Sequence, residues 1–156
     1  MNIRSILSGM VLSTVGLLAT TADAATQFRI EGQVCVGSTI NEWGAVNLSA
    51  SAATVFCPVV TDEVKSPINL KVLVWDRNDA AAVSCWLRSK QPGGTITTTG
   101  PVSTTVAGHS GGLWTLTFTP IIGLGLSVQC SLPGTDPGAG TGTNSGLSHI
   151  VMSYSN

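Results

Sequence analysis

Residues 124–132 read LGLSVQCSL, and this stretch decides the fold class. Its apolar residues occupy every second position, the period of a β-strand with one buried face. The same period recurs at residues 68–74, 83–87 and 150–154, and a loop rich in Gly, Pro, Thr and Asn at residues 133–146 precedes the last of these stretches. No stretch has the period of a helix. The sequence therefore predicts an all-β fold, a single antiparallel β-sandwich of about eight strands.

The pairing register of two predicted strands follows from the length of the loop between them. If residues 76–79 (DRND) form a four-residue hairpin loop, each apolar residue of 68–72 lies opposite an apolar residue of 83–87. A sheet with one buried face requires this match, and a shift of one residue breaks it. The sequence thus predicts that these strands are neighbours, with Trp75 and Trp86 about 20 Å apart on their outer face.

Other strands are predicted with less regular patterns. Alternation extends over residues 28–36, and two short Thr-rich strands are predicted at 94–98 and 102–106. Pro58 interrupts a β-branched run, so we expect it on an edge strand or at a strand end, because proline has no N–H to donate.

The first 24 residues have the pattern of a secretory signal peptide. Arg4 precedes the apolar residues 6–19, and Ala22-Asp23-Ala24 matches the small-residue cleavage pattern. We expect cleavage after Ala24, a single domain over residues 25–156, and a secreted or periplasmic location. No later segment is apolar and long enough for a transmembrane helix.

The charge of the chain excludes several classes of partner. Charged residues make up 10% of the sequence and the formal net charge is −1, whereas typical domains contain about 25% charged residues. Lys and Arg form no cluster along the sequence. Nucleic acid and anionic membrane surfaces are therefore not expected as partners, since both reward clustered cations.

Four cysteines, Cys35, Cys57, Cys85 and Cys130, follow the predicted cleavage site. An even number of cysteines in an exported chain predicts two disulfides. The chain contains no C-x-x-C pair of the kind that indicates a zinc site. We predict the pairs Cys35–Cys57 and Cys85–Cys130. The second pair lies on apolar strand faces, so we expect it to join the two sheets, as in immunoglobulin-type sandwiches.

One set of segments comprises Cys35, 44–49 (GAVNLS), 55–58 (VFCP), 83–87 (VSCWL), 127–133 (SVQCSLP) and 149–154. Together these segments resemble a group of small exported bacterial proteins known mainly as uncharacterised open reading frames. The resemblance covers nearly all of the chain after the signal peptide, and it implies a shared scaffold of cysteines, turns and core positions. It brings no activity with it.

One segment matches a catalytic pattern. Residues 108–112 (GHSGG) fit the G-x-S-x-G nucleophile elbow of hydrolases. That elbow needs a following helix, and a chymotrypsin-like triad needs a histidine upstream of Ser110. The only histidine besides His109 is His149, so we interpret the segment as a hairpin turn and predict no catalytic residues.

Two further segments carry weaker patterns. Asp76, Asn78 and Asp79 offer oxygen atoms to calcium, but Asp and Asn also favour turns, so no metal or cofactor is predicted. Asn47-Leu48-Ser49 fits a glycosylation acceptor, which matters only in a eukaryotic source.

Three tryptophans are candidates for binding a glycan. Trp75 and Trp86 face outward on the predicted hairpin, and Trp43 lies in a loop. Exposed aromatic rings serve as stacking platforms for sugars. Trp114 shares a face with Leu116 and is expected in the core.

The sequence supports three hypotheses of different class. The first, which we favour, is a non-enzymatic exported structural or interaction module whose partner is a glycan or another surface protein. The second is a carbohydrate-binding module that uses Trp43, Trp75 and Trp86. The third is a hydrolase, which requires a histidine within hydrogen-bond reach of Ser110.

Overall fold

The structure is a computed structural model that describes residues 26–42, 44–59, 67–78, 80–105, 113–119, 123–135 and 144–154. Within these ranges the only helical element is one turn of 3-10 helix, and no helix has the length and hydropathy that a membrane span requires. The strands are β1 (Thr26–Glu31), β2 (Thr39–Asn41), β3 (Gly44–Val46), β4 (Ala53–Val59), β5 (Pro67–Trp75), β6 (Ser84–Lys90), β7 (Ile96–Ser103), β8 (Leu113–Phe118), β9 (Gly125–Leu132) and β10 (Gly146–Tyr154).

Six strands form one antiparallel sheet, here called sheet A. Its order is β2-β3-β10-β5-β8, and β1 also pairs with β10. The nine-residue β10 is the central strand. It pairs with β5 on one side and with β1 and β3 on the other side.

Four strands form the second antiparallel sheet, sheet B, in the order β4-β9-β6-β7. Strand β9 contains the alternating sequence quoted above, and its residues alternate between buried and half-buried along the whole strand. Pro58 lies on β4, which is an edge strand, as predicted.

The two sheets share one core. Apolar side chains from both sheets form a single buried cluster. Burying one valine or leucine side chain contributes roughly 1.5–3 kcal/mol to the stability of the fold. The predicted antiparallel β-sandwich is therefore confirmed. The fully buried residues of the core cluster include Leu70, Val72 and Val74 of sheet A, and Leu87, Val128 and Leu132 of sheet B.

The predicted hairpin between β5 and β6 is wrong. Strand β5 pairs with β10 and β8 in sheet A, whereas β6 pairs with β9 and β7 in sheet B. Both strands have one apolar face, but these faces approach the same core from opposite sheets. Matching apolar positions therefore identified two strands that share a core, and it did not identify neighbours.

Buried Asp76 fixes the crossover between the sheets. Its carboxylate accepts hydrogen bonds from Val83 N–H at 3.0 Å and Ser145 Oγ at 2.9 Å, and also from the Thr104 hydroxyl. Asn78 N–H donates to the same carboxylate at 3.2 Å. These donors come from both sides of the sandwich, so Asp76 closes one of its ends instead of forming a hairpin turn.

The Thr-rich segment forms one strand, not the two predicted strands. Strand β7 runs through Gly100 and Pro101, and both residues lie opposite the single residue Trp86 of β6. This is a β-bulge, in which one strand carries an extra residue. Gly100 has a φ of 118°, which favours glycine. The bulge lets the strand continue through a Gly-Pro pair that resembles a turn in sequence.

The first predicted strand is also shorter than expected. Strand β1 ends at Glu31, and the 3-10 turn Gly32–Val34 follows it. A Cβ atom on Gly32 would lie 2.3 Å from the carbonyl oxygen of Leu147. The chain bends where it crosses β10 closely, and the short strands β2 and β3, which were not predicted, follow this bend.

Both predicted disulfides are present, Cys35–Cys57 and Cys85–Cys130. The expected position of the second one is wrong. Cys85 and Cys130 lie directly opposite each other on β6 and β9 of the same sheet, with a Cα–Cα distance of 4.1 Å. Instead, Cys35–Cys57 joins the connection between two sheet A strands to β4 of sheet B.

Candidate functional site on the outer face of sheet B

The structure does not bring the predicted tryptophans together. Trp75 is half-buried on the outer face of sheet A, and Trp86 is half-buried on the outer face of sheet B. Their predicted position on one face was wrong because the hairpin does not form. Trp43 lies outside the described residues. Trp114 packs against the core, as predicted.

The ring of Trp75 packs on its own sheet. A Cβ atom on its cross-strand partner Gly146 would lie 2.5 Å from the Trp75 Cζ2 atom. Its partner on the other side is Leu113. No second aromatic residue therefore lies beside Trp75 on a neighbouring strand.

Trp86 belongs to a row of side chains across sheet B. Gln129 of β9 lies opposite Phe56 on one side and opposite Trp86 on the other. All three alternate with buried residues and face away from the core, and Phe56 is 39% exposed. We call Phe56, Gln129 and Trp86 the aromatic row. Neighbouring strands lie about 4.8 Å apart, so Phe56 and Trp86 are separated by about 10 Å.

Val36 extends the aromatic row at the edge of the sheet. Its N–H donates to the Phe56 carbonyl oxygen and its carbonyl accepts from the Phe56 N–H, both at 2.8 Å. The Val36 side chain is 62% exposed. The row thus continues beyond β4 onto the segment that the Cys35–Cys57 disulfide holds in place.

A row of small polar residues lies beside the aromatic row, towards the start of β6. Thr54, Ser131, Ser84 and Ser103 lie opposite one another in the next row, and the Oγ atoms of Ser84 and Ser103 are 2.8 Å apart. Because these side chains are short, they leave the larger side chains of the aromatic row accessible.

Two cations lie on the other side of the aromatic row. Arg88 donates from Nη1 to Gln129 Oε1 at 3.1 Å, and Lys90 is exposed two residues further along β6. The four strands of sheet B contain no Asp, Glu or His. This face can therefore stack rings, exchange hydrogen bonds and attract anions, but its strands hold no carboxylate or imidazole for proton transfer.

The hydrolase pattern is only partly within the described residues. Residues 108–112 fall outside the described residues, so the position of Ser110 relative to a histidine is not tested. His149 is half-buried on sheet A, and its Nδ1 lies 2.9 Å from Ser148 Oγ. Burial, followed by the nearby charge of Arg29, lowers the pKa of His149 below its usual value, and Glu31 opposes this shift.

Asp76 and Asn78 of the calcium pattern and Asn47 of the glycosylation pattern form hydrogen bonds within the fold, whereas Asp79 lies outside the described residues. The carboxylate of Asp76 turns inward to the donors described above, and no group of three potential metal ligands occurs among the described residues. The Asn47 side chain is 2% exposed, and its Nδ2 donates to the carbonyl oxygens of Leu132 and Pro133 at 3.1 and 3.0 Å. This amide is therefore inaccessible to glycosylation in the folded chain.

The sequence matches no protein-family model, and no curated protein is significantly similar to it. Among solved structures, the chain is similar to dimeric latent PorU from Porphyromonas gingivalis, with a TM-score of 0.42 and 16% sequence identity. The match covers 85% of this chain and 13% of that one, so the chain spans only a small part of the PorU structure.

Proposed function

We propose that the protein is an exported, non-enzymatic binding module that holds a carbohydrate on the outer face of sheet B. The observation that carries this proposal is the aromatic row, in which two outward-facing aromatic side chains flank an amide. A sugar ring has an apolar C–H face and a rim of hydroxyl groups. Aromatic rings accept the first, and the side chains of Gln129 and Arg88 can hydrogen-bond to the second.

The dimensions of the row favour an extended glycan over a protein partner. Phe56 and Trp86 are about 10 Å apart, a separation that two linked sugar rings can span. The row is one side chain wide and has a hydroxyl-rich row beside it. A stable protein interface needs a broad patch of about 800 Å² per partner with an apolar centre.

Two features support export and a non-enzymatic role. Disulfides persist in oxidising compartments outside the cytoplasm, and the described cysteines form two of them. The strands that carry the aromatic row contain no carboxylate or imidazole side chain for general acid–base catalysis. We therefore propose a secreted or periplasmic module, with the predicted signal peptide as its export signal.

The test is a glycan-array screen of the oxidised protein, followed by calorimetric titration of the best glycan. Trp86→Ala should weaken binding about tenfold or more, because a lost stacking ring removes at least about 1.4 kcal/mol. Trp75→Ala is the matched control on sheet A, and its affinity should equal that of the wild type. Thermal unfolding checks that both variants fold.

Three outcomes would contradict the proposal. One is an array on which no glycan is retained. Another is a loss of affinity in Trp75→Ala with none in Trp86→Ala. The third is a wild type that self-associates through this face, so that Trp86→Ala changes the oligomeric state in sedimentation experiments.

A further inference from the structure

A cleft opens on sheet B beside the aromatic row. Its volume is about 250 Å³. Its lining includes Arg88 and Lys90 of β6, Gly125 and Ser127 of β9, and Ile96 of β7. We call this the basic cleft. A Cβ atom on Gly125 would have nothing within 4 Å, so the missing side chain leaves open space opposite Lys90.

The two cations of the basic cleft have no acidic partner on their sheet. The strands of sheet B contain Arg88 and Lys90 but neither Asp nor Glu. On sheet A, by contrast, Arg29 forms an ion pair with Glu31 at 2.7 Å. Although the formal net charge of the whole chain is −1, the strands of sheet B carry two positive charges and no negative charge.

Strand β6 connects the basic cleft to the aromatic row. Trp86, Arg88 and Lys90 are alternate residues of this strand and share its outer face. Successive members of this series are roughly 6.6 Å apart. A ligand lying along β6 would meet a ring, then a guanidinium, then an ammonium group. The hydrogen bond from Arg88 to Gln129 holds the guanidinium beside the aromatic row.

We infer that the ligand is an anionic glycan, with a carboxylate or sulfate group of the sugar chain seated in the basic cleft. The inference rests on the proposed function and narrows its ligand class. Guanidinium and ammonium groups both donate charge-assisted hydrogen bonds to such oxyanions. The strands around the cleft carry no acidic residue that would repel these groups, and Ser127 supplies a further hydroxyl donor in the cleft.

The test compares Lys90→Gln with Lys71→Gln, an exposed lysine of sheet A. Lys90 is the better target than Arg88, because Arg88 also contacts the aromatic row. The oxidised protein is titrated with polygalacturonate, with dextran sulfate and with neutral dextran. Lys90→Gln should weaken binding of an anionic polymer about fivefold at low salt, and Lys71→Gln should leave it unchanged. Added salt should shrink this difference by screening the charges.

The two anionic polymers distinguish carboxylate from sulfate as the bound group. If Lys71→Gln weakens binding as much as Lys90→Gln, or if dextran binds as tightly as either polymer, the basic cleft is not the anion site. The proposed function survives that result if Trp86→Ala still weakens glycan binding about tenfold or more. If Trp86→Ala has no effect on any polymer while Lys90→Gln does, the aromatic row is not the glycan site and both proposals fail.

Discussion

Trp75 and Trp86 face away from the same core on opposite sheets, and their neighbours give the two rings different surroundings. Trp75 packs on Gly146 and has no aromatic residue across either neighbouring strand. Trp86 shares a row with Phe56 and has cations beside it on its own strand. The strand neighbours of an exposed ring, more than the ring itself, determine whether a surface can hold a ligand.

The two disulfides are also distributed unequally between the sheets. Cys85–Cys130 lies within sheet B, and Cys35–Cys57 ties a flanking segment to its edge strand β4. No strand of sheet A contains a cysteine. The disulfides therefore hold the strands that carry the aromatic row, whereas sheet A depends on its long central strand β10 and on Asp76 at the crossover.

The largest expected effect comes from removing the cross-links of sheet B. The sequence separations are 45 residues for Cys85–Cys130 and 22 for Cys35–Cys57. Loop-closure entropy predicts losses of about 4 and about 3 kcal/mol for the corresponding double Cys→Ala variants. Urea unfolding of each variant, with the other disulfide intact, measures these losses.

The order of the two losses is the informative result. Strands β6 and β9 stay paired by their backbone after Cys85 and Cys130 are replaced, whereas Cys35 joins segments of different sheets. A smaller loss for the Cys85–Cys130 pair would show that native pairing outweighs loop length and would contradict the entropic prediction.

A smaller effect is expected from adding one methyl group to each sheet. Gly146→Ala places a Cβ atom 2.5 Å from the Trp75 ring and 2.8 Å from the Ala45 carbonyl oxygen. We expect a loss of about 1–3 kcal/mol, because the ring must move and the backbone cannot. Gly125→Ala on sheet B meets nothing within 4 Å, so stability should stay equal or rise by about 0.5 kcal/mol.

Chemical denaturation with tryptophan fluorescence tests this pair of variants. Gly146→Ala should change the native emission because Trp75 moves, and Gly125→Ala should not. Equal losses in the two variants would contradict the close packing of Trp75 on its own sheet.

Much of the architecture was predictable because alternation reports which side chains are buried. It predicted β9 and the core position of Trp114. The apolar strand positions of Cys85 and Cys130 predicted the disulfide pairs, although not that this bond lies within one sheet. The missing N–H of proline predicted the edge position of Pro58. Alternation cannot assign a strand to one of two sheets that share a core. This is why β5 and β6 were wrongly paired.

The candidate site was less predictable because it depends on register between distant strands. Phe56 alternates with buried residues in the sequence, but its alignment with Trp86 requires both strands to pair with Gln129. The role of Asp76 was hidden for a similar reason, since its partners Thr104 and Ser145 are 28 and 69 residues away in the sequence. The net charge of the whole chain, −1, also gave no sign that Arg88 and Lys90 lie together beside the aromatic row.

The smallest expected effect is a pH dependence that originates on sheet A. The strands of sheet B contain no histidine, whereas His149 on sheet A has a pKa below 6.5 through burial and the charge of Arg29, opposed by Glu31. The unfolded chain therefore binds more protons at this site, so its contribution to stability is present above pH 6.5 and is lost as the pH falls through that value. The wild type should lose at most about 2 °C more in Tm between pH 7.5 and pH 5.5 than His149→Gln, because solvent screens this half-buried group.

Arg29→Gln is the control for the direction of the pKa shift of His149. It removes the cation and frees Glu31, so the fall in Tm between pH 7.5 and pH 5.5 should be smaller than in the wild type. If His149→Gln and the wild type lose the same amount over this range, His149 does not produce the pH dependence.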